Sequence, residues 1–181
     1  MNCLEEDICF NKNQIDLLLD TAKSEYDNEH NRTSIIDSKT SIALPIISAY
    51  FLALAEINDF RFIFDIRIKS FFDVIVPMVL FISYSSSIIL AFVAVIKMVS
   101  VINTRQYNTI NVSELYDDDY LKPDQPVLSV ELIRLYIKAT LSNKSQNDSR
   151  VILYKQGWKF TIISIVTFVV YILIKNCMGG N

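Results

Sequence analysis

Between residues 74 and 96 the chain runs for 23 residues, VIVPMVLFISYSSSIILAFVAVI, without a charged side chain. This run limits the fold more than any other feature. As a helix it exceeds the ~20 apolar residues needed to cross a hydrocarbon core of about 30 Å, with length to spare for some tilt. Apolar residues make up 51% of the 181-residue sequence, a share that a water-soluble domain also reaches. Their clustering decides the matter. Uncharged runs alternate with almost wholly polar stretches, as in a chain partitioned between lipid and water.

Two further runs have the same character. Residues 41–57, SIALPIISAYFLALAEI, form a short apolar stretch with Pro45 in its first turns and Glu56 at its far end. A proline there removes a backbone N–H where it is least needed. Residues 160–174, FTIISIVTFVVYILI, follow Trp158 and Lys159, which suit the membrane boundary as anchors. The expectation is an all-α integral membrane protein with about three transmembrane helices and a helical cytosolic platform. Its parts are an N-terminal helix over 1–40, spans over 41–57, 71–98 and 159–175, an external turn over 58–70, a helical insert over 99–158, and a tail over 176–181 too short to fold.

The polar segments have their own signals. Ile15, Leu18, Leu19, Ala22, Tyr26, Ile35 and Ile36 recur at helical spacing, with Asn13 as the expected N-cap and no Pro or Gly from 11 to 40. Its charges read as a solvated face with local pairs such as Glu29 with Arg32, or as a functional surface. In 58–70 the Phe60, Phe62, Phe64, Ile66 and Ile68 alternation is close to a period of two, which predicts a small strand or interfacial segment. The stretch 103–126 carries Asp117, Asp118, Asp119, Pro123 and Pro126 and reads as loop. Its acidic triplet is a solvated charge run, because adjacent loop carboxylates rarely converge on one ion without further ligands. From Ser129, an expected N-cap, to Leu141 the pattern is helical. The run SNKSQNDS over 142–149 predicts a break before a last helix from Arg150.

Lys and Arg near the spans set orientation. Lys12, Lys23, Arg32 and Lys39 precede the first span, and nine cations lie between Lys97 and Lys159. Three spans put these groups on one side, opposite Arg61, Arg67 and Lys69, so the N-terminus and the insert are expected in the cytoplasm. The N-terminus is acidic and reads as lacking a cleavable leader.

Little chemistry is on offer. The single histidine, His30, has no triad partners in evident spacing and reads as a surface residue. Cys3, Cys9 and Cys177 show neither zinc spacing nor a disulfide framework and read as free thiols. A net charge of −3 argues against a nucleic-acid polymer as partner. No span carries a charge at its centre, so a proton relay is not indicated. The chain is therefore expected not to be an enzyme, and to hold no metal and no cofactor. Ser83, Ser86 and Ser87, in the middle of the second span, serve either close helix packing or the lining of a pore.

The order of parts resembles the small bacterial membrane effectors of nucleotide-signalled antiphage defence, the Pycsar-type and SLATT-type effectors. The residues that carry the likeness are Glu29-His30-Asn31-Arg32 and Ile36-Asp37-Ser38-Lys39 ahead of the first span, Arg105 after the second, Glu131 to Tyr136 in the insert, and Lys155 before the last span. The chain departs from members with two spans after the insert, since only one fits here. The resemblance implies a homo-oligomer in the bacterial inner membrane, activated when a cyclic nucleotide from a partner cyclase binds the cytosolic part. It implies that assembly then impairs the membrane and aborts infection. Phosphate recognition needs Arg or Lys donors, for which Arg32, Lys39, Arg105 and Arg134 are the candidates. The competing expectation is a structural or accessory subunit of a larger membrane complex, without a ligand of its own.

Overall fold

The computed structural model describes residues 2–4, 8–10, 12–56, 71–104, 107–110 and 125–179. Three helices dominate: α1 (Lys12–Glu56), α2 (Phe72–Asn103) and α3 (Gln125–Gly179). Ahead of them, β1 (Asn2–Leu4) and β2 (Ile8–Phe10) pair antiparallel as a two-stranded hairpin, which the all-α expectation did not include. The external turn over 58–70, the acidic triplet and Arg105 lie outside the described residues.

Each helix is long and apolar enough, over part of its length, to cross a membrane. The helices are also longer than the expected parts. α1 has no break between the polar segment and the apolar run, and it starts at Lys12, so Asn13 lies inside the first turn and is not the cap. Pro45 consequently sits in the helix interior and costs one i→i−4 rung. α3 begins at Gln125, with Pro126 where a proline suits a helix start, so Ser129 is internal. It also absorbs residues 176–179 of the expected tail.

The expected break over 142–149 is absent: α3 passes through SNKSQNDS unbroken. Asn and Ser weaken helices when their side chains compete for the local backbone. Here those side chains are engaged elsewhere. Asn143 and Asn147 are buried and bonded to other segments of the chain, and Ser149 donates to its own i−4 carbonyl, that of Ser145, at 3.1 Å.

The chain divides into two compact units, and α1 and α3 contribute to both. The first comprises residues 1–37 and 104–149. Its buried set includes Ile15, Ala22, Thr33, Ile36, Ala139, Thr140, Asn143 and Asn147, which is polar for a core.

The second unit, residues 38–103 and 150–181, runs up-down-up. One apolar cluster joins Ala43 and Ile47 to Ala94 and Met98, flanked by Tyr154, Trp158 and Phe160. A second joins Leu80, Tyr84 and Tyr171, flanked by Val76, Ile88, Phe168, Ile172 and Ile174. Trp158, expected at a membrane boundary, packs against a core cluster. Gly157 brings α3 close to α2, because a Cβ at this position would lie 2.8 Å from Met98 Cε.

Burial in this unit is inverted. Only 22%, 28% and 22% of the most apolar stretches of α1, α2 and α3 are buried. Ile42, Ile46, Leu52, Phe81, Ile82, Ile89, Phe92, Ile162, Val166 and Leu173 all face outward, while Thr40, Ser87, Thr161 and Ser164 are inside. In water this arrangement would forgo most of the stabilisation that apolar burial supplies.

Candidate functional site

A layer of hydroxyls crosses the second unit between its two apolar clusters. Ser87 Oγ donates to the Ser164 carbonyl at 3.0 Å, and Ser164 Oγ donates to the Ser87 carbonyl at 2.7 Å. The two hydroxyl oxygens are 3.1 Å apart, and the Tyr50 hydroxyl reaches Ser164 Oγ at 3.1 Å and Ser87 Oγ at 3.4 Å. Small side chains allow this approach, and helix-to-helix hydrogen bonds hold it where water is absent.

Two helix ends in this unit are closed by side chains from other helices. The Tyr84 hydroxyl donates to the Leu54 carbonyl at 2.6 Å, in the last turn of α1. Arg150, 2% exposed, donates through Nε to the Val101 carbonyl at 3.0 Å, in the last turn of α2. Carbonyls at a helix C-terminus lack intrahelical donors, and a cation there also meets the negative end of the helix dipole.

The first unit holds a different constellation. The rings of Tyr26 and Tyr107 have centroids 5.8 Å apart, Tyr26 meets Tyr136 edge-on at 5.6 Å, and His30 meets Tyr107 edge-on at 5.1 Å. These spacings are those of favourable edge-to-face and tilted aromatic pairs. In the same unit, Asn143 grips the backbone of Asn108 at two points. Its Oδ1 accepts from Asn108 N at 2.9 Å and its Nδ2 donates to the Asn108 carbonyl at 3.2 Å. Asn108 Nδ2 donates in turn to Ser142 Oγ at 2.9 Å.

Two buried polar atoms, Tyr107 Oη and Thr140 Oγ1, have no hydrogen-bond partner of good geometry among the described residues. Burial, with Tyr26 alongside, holds the Tyr107 hydroxyl well above the ordinary phenol range, so it is a neutral donor. Buried polar groups are nearly always satisfied by protein, water or a ligand.

One turn further along α3 lies a charged lattice. Asn147 Nδ2 donates to Glu29 Oε2 at 2.9 Å and to the Glu29 carbonyl at 3.1 Å, while the Thr33 hydroxyl lies 3.1 Å from Asn147 Oδ1. Arg32 donates from one terminal nitrogen to Asp148 at 2.5 Å and from the other to Glu29 at 3.4 Å. The hydrogen bond donated to Asp148, and then the charge of Glu29, hold the guanidinium above its usual range.

The candidate phosphate-binding cations are not drawn together by any described contact. Arg32 is engaged by two carboxylates, Arg134 pairs with Glu131 at 2.9 Å, and Lys39 is exposed in the second unit. The three serines separate by role. Ser87 is spent inside the second unit, whereas Ser83 and Ser86 are half-buried and have no hydrogen-bond partner among the described residues. Tyr50, Tyr107, Asn143, Asn147, Arg150 and Ser164 make these contacts, and the sequence pattern does not single them out. Tyr136, Thr140, Asn143, Asn147 and Arg150 recur every three or four residues, a polar helical stripe hidden within a stretch of loop-like composition.

Among the described residues no group of three or more His, Cys, Asp or Glu could hold a metal ion. No protein-family model, curated protein or solved structure matches the chain.

Proposed function

We propose that the chain is an integral membrane protein that works as a ligand-controlled effector, with no catalytic chemistry of its own. The observation that carries the membrane reading is the inverted burial of the second unit, apolar outside and hydroxylated within. Hydrocarbon is the solvent in which that arrangement is favourable. α1 and α3, at 45 and 55 residues, are more than twice the ~20 residues a span requires. Each therefore has length to serve the soluble unit as well.

The ligand reading rests on the first unit, where the rings of Tyr26 and His30 on α1, Tyr107 after α2 and Tyr136 on α3 pack together. Clustered rings beside a buried, neutral hydroxyl suit a planar, hydrogen-bonding molecule. The resemblance to Pycsar-type and SLATT-type effectors makes that molecule a cyclic nucleotide supplied by a partner cyclase. On this reading the protein lies in the bacterial inner membrane with its N-terminus and insert in the cytoplasm, and ligand binding drives oligomers that impair the membrane and stop phage replication. Arg32, Lys39, Arg105 and Arg134 remain the candidate phosphate donors. For Arg32 a phosphate would have to displace Asp148 or Glu29. Ser83 and Ser86 support self-association through α2, since lone hydroxyls in hydrocarbon are satisfied by a neighbouring helix.

A second reading, an accessory subunit of a larger membrane complex, is favoured by Leu17, Leu18, Ile137 and Leu141, which are exposed apolar residues of the first unit. Purified protein reconstituted into dye-loaded liposomes separates the two. Dye release on adding one of a panel of cyclic nucleotides supports the effector. Tight vesicles with every nucleotide, together with stoichiometric co-purification of another membrane protein, support the subunit.

A further inference from the structure

The hairpin ahead of α1 pairs its residues in the register Asn2 with Phe10, Cys3 with Cys9 and Leu4 with Ile8. Two of the three cysteines in the chain are therefore directly opposite each other across an antiparallel pair. From this juxtaposition we propose that Cys3 and Cys9 form a reversible cross-strand disulfide, a thiol switch at the head of α1. The inference does not depend on the proposed function.

The strand register alone places the two thiols within reach. Directly opposed residues of an antiparallel ladder alternate between Cα separations of about 4.5 and about 5.5 Å. Disulfides span Cα separations of about 4.4–6.8 Å, so a directly opposed pair lies within the backbone reach of the bond. Spacing in sequence could not reveal this, since five residues lie between the two cysteines and only the strand pairing sets them opposite each other. Two S–H bonds break and one S–S bond forms. The two protons and two electrons pass to a low-molecular-weight disulfide, whose own S–S bond is cleaved to two thiols. In a reducing compartment such a pair stays open and closes under oxidative load.

Cys177, exposed near the end of α3, is the internal reference. Trypsin releases residues 1–12 as one peptide holding both Cys3 and Cys9, because the first basic residue is Lys12. The full-length protein in detergent is equilibrated across a series of glutathione redox buffers, quenched with iodoacetamide and digested. Under oxidising buffers the peptide is expected unalkylated and lighter by two hydrogen atoms than its reduced form, while Cys177 is alkylated. Alkylation of Cys3 and Cys9 in step with Cys177 in every buffer overturns the proposal. So does glutathione carried on each, or a bond to a second copy seen on a non-reducing gel. A double variant, Cys3→Ser with Leu4→Cys, shifts one thiol out of register. Its closure equilibrium is expected to fall at least about tenfold, roughly 30 mV for a two-electron couple. Closure as ready as in the parent would mean that chain flexibility, and not strand register, brings the thiols together.

Discussion

Ser87 and Ser164 each donate a hydroxyl to the other's backbone carbonyl, at 3.0 and 2.7 Å, so that α2 and α3 are tied twice at one level. Both serines are fully buried, with an apolar cluster on either side along the helices. Interhelical hydrogen bonds of this kind are worth about 0.6 kcal/mol on average in membrane proteins and up to about 1.7. Ser87→Ala is therefore expected to lower stability in detergent by roughly that amount. Ser87→Leu adds volume where there is none and should cost a further ~1–3 kcal/mol. Thermal melting of the purified variants gives the order. A Leu variant as stable as the parent would show that the helices are not in close contact there.

Gly157 and Met98 make a second test of helix approach. Gly157→Ala places its new methyl against Met98 Cε, the far end of a flexible side chain that can swing aside, so the cost should stay below about 1.5 kcal/mol. Met98→Ala alone leaves a cavity and should cost about 2–5 kcal/mol. The two substitutions together should cost less than their sum, because the methyl fills part of the space. Simple additivity in the double-mutant cycle would contradict the contact.

Tyr107 should respond to pH and to substitution in opposite senses. Its hydroxyl stays neutral in the fold to higher pH than an ordinary phenol, whereas an unfolded tyrosine ionises near pH 10. Above about pH 10 the unfolded state therefore binds fewer protons, and stability of the first unit should fall as pH rises from there. Tyr107→Phe should flatten that fall, read by urea unfolding at several alkaline pH values. At neutral pH the same variant relieves an unsatisfied buried hydroxyl and should be as stable as the parent or up to about 1 kcal/mol more so. Its response to ligand should weaken.

Arg32 needs a test that separates structure from recognition. Arg32→Ala leaves Glu29, whose side chain is 15% exposed, without its cation. The loss should be about 1 kcal/mol or less for a pair this accessible. Adding Glu29→Gln, which removes the stranded charge, should restore most of the stability. Ligand-induced dye release that stays absent in the restored double variant would give Arg32 a role in recognition. Release returning with stability would make it a structural tie alone.

Much of the layout of long apolar helices is legible in the sequence because it depends on composition over ~20 residues, and the uncharged run over 74–96 allows few alternatives. Helix limits are less so. Nothing in the run from Ser142 to Ser149 announces that Asn143 and Asn147 will be bonded to Asn108 and Glu29, partners 35 and 118 residues away along the chain, and without those partners the stretch reads as loop. The same holds for Arg150, which by local pattern opens a new helix and in the fold closes the end of α2. Ser164 is inconspicuous within an apolar run, since its role exists only opposite Ser87. Local pattern carries the apolar helices, whereas the polar clusters are made by long-range pairing and appear only in the fold.

The most direct test of the account is inner-membrane potential in bacterial cells expressing the full chain from an inducible promoter, with and without cyclic nucleotides. The expected result is depolarisation that depends on one nucleotide and is lost in a Ser83→Leu, Ser86→Leu double variant still present in the membrane. Unchanged potential with every nucleotide, with the protein verified in the membrane fraction, would contradict the effector reading and leave the accessory subunit in its place.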